Sequence, residues 1–181
     1  MEYIYMDPPF EHCKFDFFSK KQASEYFEWY TKQSFLRINL LQEYINTTSI
    51  EKVELDFSDY SLIPLWEWYE NFVLLNDEIN TKTVSIDNGE PLFSNEVLKI
   101  ALDVSFYFAE LFIKHNSSVK WGYFTKPKNR ISVNKPVLLG FKYDKCLDPR
   151  LIVENCSYRS LKVKNSDALY DIYNNWLVFL K

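Results

Sequence analysis

Residues 94–114, SNEVLKIALDVSFYFAELFIK, leave a folding chain little choice. Ser94 and Val97 have the spacing of a helix start. Beyond them Val97, Ala101, Val104, Phe108, Leu111 and Phe112 recur at helical spacing and form one apolar face. Leu98, Leu102, Ala109 and Ile113 form a second. Glu96, Lys99, Asp103, Glu110 and Lys114 make the only polar stripe, and Phe106 interrupts it. A helix apolar over most of its circumference has to be surrounded, so this segment is expected to be the central helix. Shortening Leu102 or Phe108 to Ala is expected to cost about 2–5 kcal/mol through lost transfer energy and a cavity.

The other elements are read as what surrounds it. Ser19 and Gln22 have capping-box spacing. Ala23, Phe27, Tyr30, Ser34, Ile38, Leu41 and Ile45 then recur every three or four residues, which predicts a helix over about 20–46. Val53, Leu55 and Phe57 alternate with acids and read as a short strand. A second helix is expected after Ser58 or Ser61, with Pro64 in its first turn, where a missing N–H costs nothing. Its inner face is Leu65, Trp66, Tyr69, Phe72 and Val73, with Trp68 near the other side. Residues 76–91 read as a polar connector with a turn at Asn88-Gly89. After His115 the period changes: SVKWGYF and PVLLGFKY read as strands joined by TKPKNRISVNK, and RLIVENC as a third. Residues 166–180 close the chain as a helix capped by Ser166, with Leu169, Ile172, Tyr173, Trp176 and Leu180 inward. The sum is a single α+β domain over 1–181, three or four long helices packed against a small antiparallel sheet, with 1–18 an extension of strand or irregular structure.

Composition narrows the chemistry. Aromatic residues are 18% of the chain, enough to build a core from rings, which argues against disorder. Three glycines and no G-x-G-x-x-G or G-x-x-x-x-G-K leave no glycine phosphate loop, and no cofactor is expected. No stretch approaches the 18 or so apolar residues of a membrane span. MEYIYMDPPFEH is acidic and broken by proline, unlike a signal peptide. Three cysteines, Cys13, Cys146 and Cys156, suit a reducing cytoplasm better than a disulfide framework. His12, Cys13, Cys146 and Cys156 show no metal-ligand spacing, so no metal is expected, and Cys156 reads as a buried, inert thiol. His115 falls at a helix end, where a cap is the plainer role.

Charge is unevenly placed. Residues 1–116 carry 20 acidic and 9 basic side chains, whereas 117–145 carry seven basic and one acidic. The basic stretch holds Lys126, Lys128, Arg130 and Lys135 beside Tyr123 and Phe124, a mixture that resembles a nucleic-acid surface. The acidic body opposes such a partner and no nucleic-acid motif accompanies it, so the plainer reading is a solvated hairpin whose lysines protect a sheet edge. Glu67 and Glu70, beside Trp66 and Trp68, have a spacing that a carboxylate-based glycosidase can use. The same letters describe the solvent stripe of an amphipathic helix.

The segment S-x-x-S-L-x-x-L-W-x-W, Ser58 to Trp68, and the block from the central helix through KWGYFTKPKN to NKPVLLGF are similar to small proteins of Gram-positive bacteria suspected of being immunity partners in toxin systems. The resemblance covers most of residues 20–180 and carries over no catalytic or binding residue. It implies stoichiometric protein binding rather than catalysis, with a basic protein toxin as the partner. Nuclease toxins are commonly cationic because they bind phosphates. The expected binding face is then Glu67, Trp68, Glu70, Asp77 and Glu78, with exposed rings such as Trp68 or Tyr60 as anchors. The rivals are a small enzyme with a carboxylate site and a structural domain without catalysis.

Overall fold

A computed structural model describes residues 3, 4, 6–10, 14–80, 86, 87, 90, 91 and 93–181; for 77–80, 86, 87, 90 and 91 it describes the backbone alone. It is an α+β fold with, among the described residues, five α-helices: α1 (Lys20–Thr48), α2 (Leu62–Asn80), α3 (Asn95–His115), α4 (Pro149–Ser160) and α5 (Ala168–Leu177). Four short strands, β1 (Ile86–Asp87), β2 (Glu90–Pro91), β3 (Lys120–Gly122) and β4 (Val137–Leu139), form two separate antiparallel pairs, β1–β2 and β3–β4. The expected turn at Asn88-Gly89 falls between β1 and β2, outside the described residues.

The central position of α3 follows from its sequence. Ser94 caps it by accepting from the Val97 N–H, and the helix packs most extensively against α4 and α1, then against α2. Val97, Ile100, Ala101 and every residue from Asp103 to Phe112 are buried. Asp103 and Glu110, expected on a solvent stripe, are therefore interior, and each has a partner from elsewhere. Arg37 on α1 donates to both Asp103 oxygens, from Nε at 2.8 Å and Nη2 at 2.6 Å, and the Tyr3 hydroxyl donates to the same carboxylate. Burial pushes the Asp103 carboxyl above its ordinary value, against the pull of Arg37 and Tyr3. The Trp121 indole of β3 donates to Glu110 Oε1 at 2.9 Å. Buried charge persists where it is paired and hydrogen-bonded.

α1 begins with the expected capping box, Ser19 and Gln22 bonding each other's backbone, and runs 29 residues. The segment 53–57 is not a strand. Its alternation is real, with Val53 buried and Glu54 exposed, yet its partner is a side chain. The Gln42 amide donates to the Val53 carbonyl at 2.8 Å and accepts from the Leu55 N–H at 2.7 Å, as a neighbouring strand would. Ser58 then accepts from the Ser61 N–H, a 3-10 turn spans Asp59–Ser61, and α2 follows with Pro64 in its first turn.

RLIVENC is not a third strand. Asp148 accepts from the Leu151 N–H, Pro149 opens α4, and Val153, Cys156, Ser157 and Ser160 turn inward at helical spacing. Cap and proline outweigh an aliphatic run that includes the β-branched pair Ile152-Val153. α5 starts at Ala168 with Asp167 at the cap position rather than Ser166. Residues 3, 4 and 6–10 are irregular, but Tyr3 and Met6 are buried. Gly140 has a φ of 113°, and a Cβ there would come within 1.9 Å of the Ser118 carbonyl oxygen, so only glycine lets the chain leave β4 in this direction.

Substituting Phe108, fully buried beside Phe112, by Ala is expected to cost about 3–5 kcal/mol. Leu102→Ala should cost less than this, because Leu102 is only partly buried at a cleft wall. Urea unfolding midpoints of the two variants against the parent check this ordering.

Candidate functional site

The C-terminal end of α1, the segment after it and the outer side of α2 enclose an open cleft of about 680 Å³. Its lining is mostly apolar: Ile50, Val53, Trp68, Phe72, Leu74 and Leu75, with Pro64 at one end. Ile50 is fully exposed and Leu75 is 62% exposed, although both are aliphatic. Trp68 forms part of the floor. It is 9% exposed, donates its indole N–H to Thr48 Oγ1 at 3.3 Å, and stacks on Phe72 with centroids 6.2 Å apart. Its position on the far side of α2 from Trp66 therefore serves a second packing contact.

Acidic groups edge this apolar lining. Glu51 and Glu67 line the cleft and are exposed. α1 ends here at Thr48, with Ser49 as its C-cap and no basic residue in its last turn, and α2 likewise has none in its last turn. The partial negative charge at the end of α1 therefore adds to that of Glu51 and Glu67. The cations nearby in sequence or contact are engaged: Lys52 pairs with Glu54, and Lys164 donates to Asn71.

The expected binding face is thus brought together only in part. Glu67 and Trp68 share the cleft. Glu70 is fully buried on the other side of α2, where its Oε1 accepts from Ser160 Oγ at 2.7 Å and from the Asn165 N–H at 2.9 Å. It ties α2 to the α4–α5 connection and belongs to no exposed face. Glu70 is thus buried and hydrogen-bonded inside the fold while Glu67 is exposed at the cleft, so the two carboxylates do not line one common site. The side chains of Asp77 and Glu78 lie outside the described residues. Tyr60 is 66% exposed, but it stacks on Tyr170 and does not line the cleft. Sequence reading missed Ile50 and Leu75. For Ile50 the signal was an aliphatic residue set among polar ones just past the end of α1; Leu75 lies in the apolar run Phe72-Val73-Leu74-Leu75 and carries no such signal.

The basic segment behaves as a clasp. Lys128 Nζ donates to the Phe18 carbonyl at 3.2 Å, across 110 residues of sequence. The Arg130 guanidinium lies 3.6 Å from the Phe124 ring centroid and bonds Ser132 Oγ and Cys146 Sγ. Lys135 faces the Phe15 ring at 6.0 Å, and Lys126 is exposed. Three of the four cations are thus engaged in holding the loop to the body, and a phosphate would have to compete with those contacts.

The remaining chemical candidates are structural. Burial lifts the Cys156 thiol to about 11, which keeps it protonated and inert. His115 Nδ1 lies 3.2 Å from the Tyr173 hydroxyl, and Asn116 takes the cap position of α3. Among the described residues no cluster of three or more His, Cys, Asp or Glu is placed to hold a metal ion, and no helix is long and apolar enough to cross a membrane.

Arg130→Ala, which removes a ring contact and two hydrogen bonds at a half-buried position, is expected to lower stability by about 1–2 kcal/mol, whereas Lys126→Ala should change it by under about 0.5 kcal/mol. Equilibrium unfolding in urea separates the two. Comparison of the chain with protein-family models, with curated proteins and with solved structures gave no match.

Proposed function

We propose that this chain acts by binding a basic protein partner one to one, as an immunity protein binds its toxin, and that the cleft between the end of α1 and α2 is the seat. The observation that carries the reading is an apolar cleft with Ile50 and Leu75 left exposed and Glu51 and Glu67 beside them. An aliphatic side chain gains about 1.5–3 kcal/mol when fully covered, so two of them provide a driving force that water leaves unused. A cationic amphipathic helix fits this geometry, laying its apolar side on Ile50, Trp68 and Leu75 and its charges against Glu51 and Glu67. The acids and the end of α1 steer the approach, and the apolar floor sets the residence time.

The test is a low-salt pull-down from the native lysate with the tagged chain, followed by calorimetry on the purified partner. A basic protein in one-to-one amount is expected. Joint reversal of Glu51 and Glu67 to Lys should weaken binding about tenfold at low salt and less at high salt, because exposed charges are screened. Joint Ile50→Asp and Leu75→Asp should weaken it at least tenfold at both. Unchanged affinity in both double variants would remove the cleft from the reaction.

A further inference from the structure

A second concavity lies at the other end of α1. Tyr26 and Tyr30 of α1, Phe15 before it, Lys135, and the first turns of α4 enclose about 270 Å³. Along α1 the 22 residues from Tyr26 to Thr48 separate it from the α1–α2 cleft by about 30 Å at 1.5 Å per residue. It is therefore independent of the protein-binding seat.

Its walls divide into two kinds. Phe15, Tyr26 and Tyr30 form an aromatic side, with Phe15 and Tyr26 edge-to-face at 5.3 Å, and Leu151 continues it. The rest of the lining includes two cations and two carboxylates: Lys135 and Arg150, Asp148 and Glu154. Glu154 takes the Arg150 Nε–H at 2.9 Å, and among the described residues no bond to the two terminal guanidinium nitrogens is present. Asp148 accepts the Leu151 N–H at the start of α4. Burial pushes the Asp148 carboxyl up, while Lys135 and Arg150 pull it down, so both cations act on this carboxyl.

Charge and size select the ligand. With two charges of each sign, a simple anion meets two carboxylates and a simple cation meets two cations. A molecule carrying both charges on neighbouring atoms finds an opposite charge for each. Pockets for drug-sized ligands run from about 300 to 1,000 Å³, so 270 Å³ suits something smaller. The aromatic wall asks for an apolar body attached to the charged end.

We infer that this cavity binds a free α-amino acid with an apolar or aromatic side chain: carboxylate to Arg150 and Lys135, ammonium to Asp148 and Glu154, side chain against Phe15 and Tyr26.

Isothermal titration of the full chain with L-phenylalanine and L-leucine tests it, with 3-phenylpropionate and phenethylamine as probes that each lack one charge. One saturable site is expected for at least one amino acid, with both half-probes at least about tenfold weaker. Arg150→Gln should weaken the amino acid about tenfold. Leu151→Trp, at a position 40% exposed, should fill the cavity and abolish binding while circular dichroism still shows a folded chain. If Arg150→Gln does not fold, Leu151→Trp and the half-probes still decide. Absence of saturable binding by either amino acid, equal binding of 3-phenylpropionate, or unchanged binding in Leu151→Trp would overturn the assignment.

Discussion

The Arg37–Asp103 pair fixes how the two longest helices meet, and much of the remaining structure is built on that contact. The pair is bidentate, its side chains are 4% and 0% exposed, and it joins residues 66 apart in sequence. Removing one partner would strand a buried charge, at about 3–5 kcal/mol, although such a pair adds little net stability over apolar residues of equal size. Its consequence is register. At 1.5 Å per residue, sliding α1 along α3 by one position breaks both bonds, which a greasy interface alone would tolerate. Tyr3 adds the chain's beginning to the same contact, since its hydroxyl bonds Asp103 and its ring lies 5.4 Å from the guanidinium. Burial holds the Tyr3 hydroxyl well above its ordinary value, so it remains a donor.

Rings carry the packing outward from that point. Tyr30 of α1 meets Phe106 of α3 at 4.5 Å and Trp121 of β3 at 5.7 Å. On the other side Phe112 meets Tyr173 of α5 at 4.5 Å, and Phe141 meets Trp176 at 4.9 Å. These contacts, edge-on for Tyr30–Trp121 and Phe141–Trp176 and tilted for the other two, each add about 0.5–1.5 kcal/mol beyond area burial. A two-stranded sheet as small as β3–β4 is marginal alone. Here Trp121 and Phe141, on it and just past it, dock it to α3 and α5.

What the sequence revealed was local, and what it hid was non-local. Ser19 and Ser94 are legible as caps because their partners lie three residues away. The surrounded state of α3 is legible because two apolar faces leave no other outcome. Asp103 and Glu110 are not, since a helical wheel has no knowledge of Arg37 or Trp121. Residues 53–57 mislead because a Gln42 side chain imitates a strand. α4 misleads because Leu151-Ile152-Val153 favours strand, although Asp148-Pro149 already signalled a helix start. At the cleft, the exposure of Glu67 was readable from α2 alone, whereas Trp68, expected as an exposed anchor, is only 9% exposed. Glu70 was assigned to the wrong side because its partners Ser160 and Asn165 come 90 and 95 residues later.

The charge layout along α1 joins these observations. A long helix is ordinarily stabilised by acids in its first turn and bases in its last, each contributing about 0.3–1 kcal/mol. α1 forgoes both: its first turn carries Lys20 and Lys21 with no acid, and its last turn carries no base. Its macrodipole is thus left uncompensated by its own side chains, positive toward the clasped basic loop and negative toward the α1–α2 cleft. Glu51 and Glu67 at that cleft deepen the negative potential instead of cancelling it. Local stability would favour a lysine near Thr48. Its absence, in the place where Ile50 and Leu75 also remain uncovered, puts two unfavourable choices on one surface. A cationic apolar segment seated there would relieve both at once, since its charges meet the carboxylates and the end of α1 while its apolar side covers the two aliphatic residues.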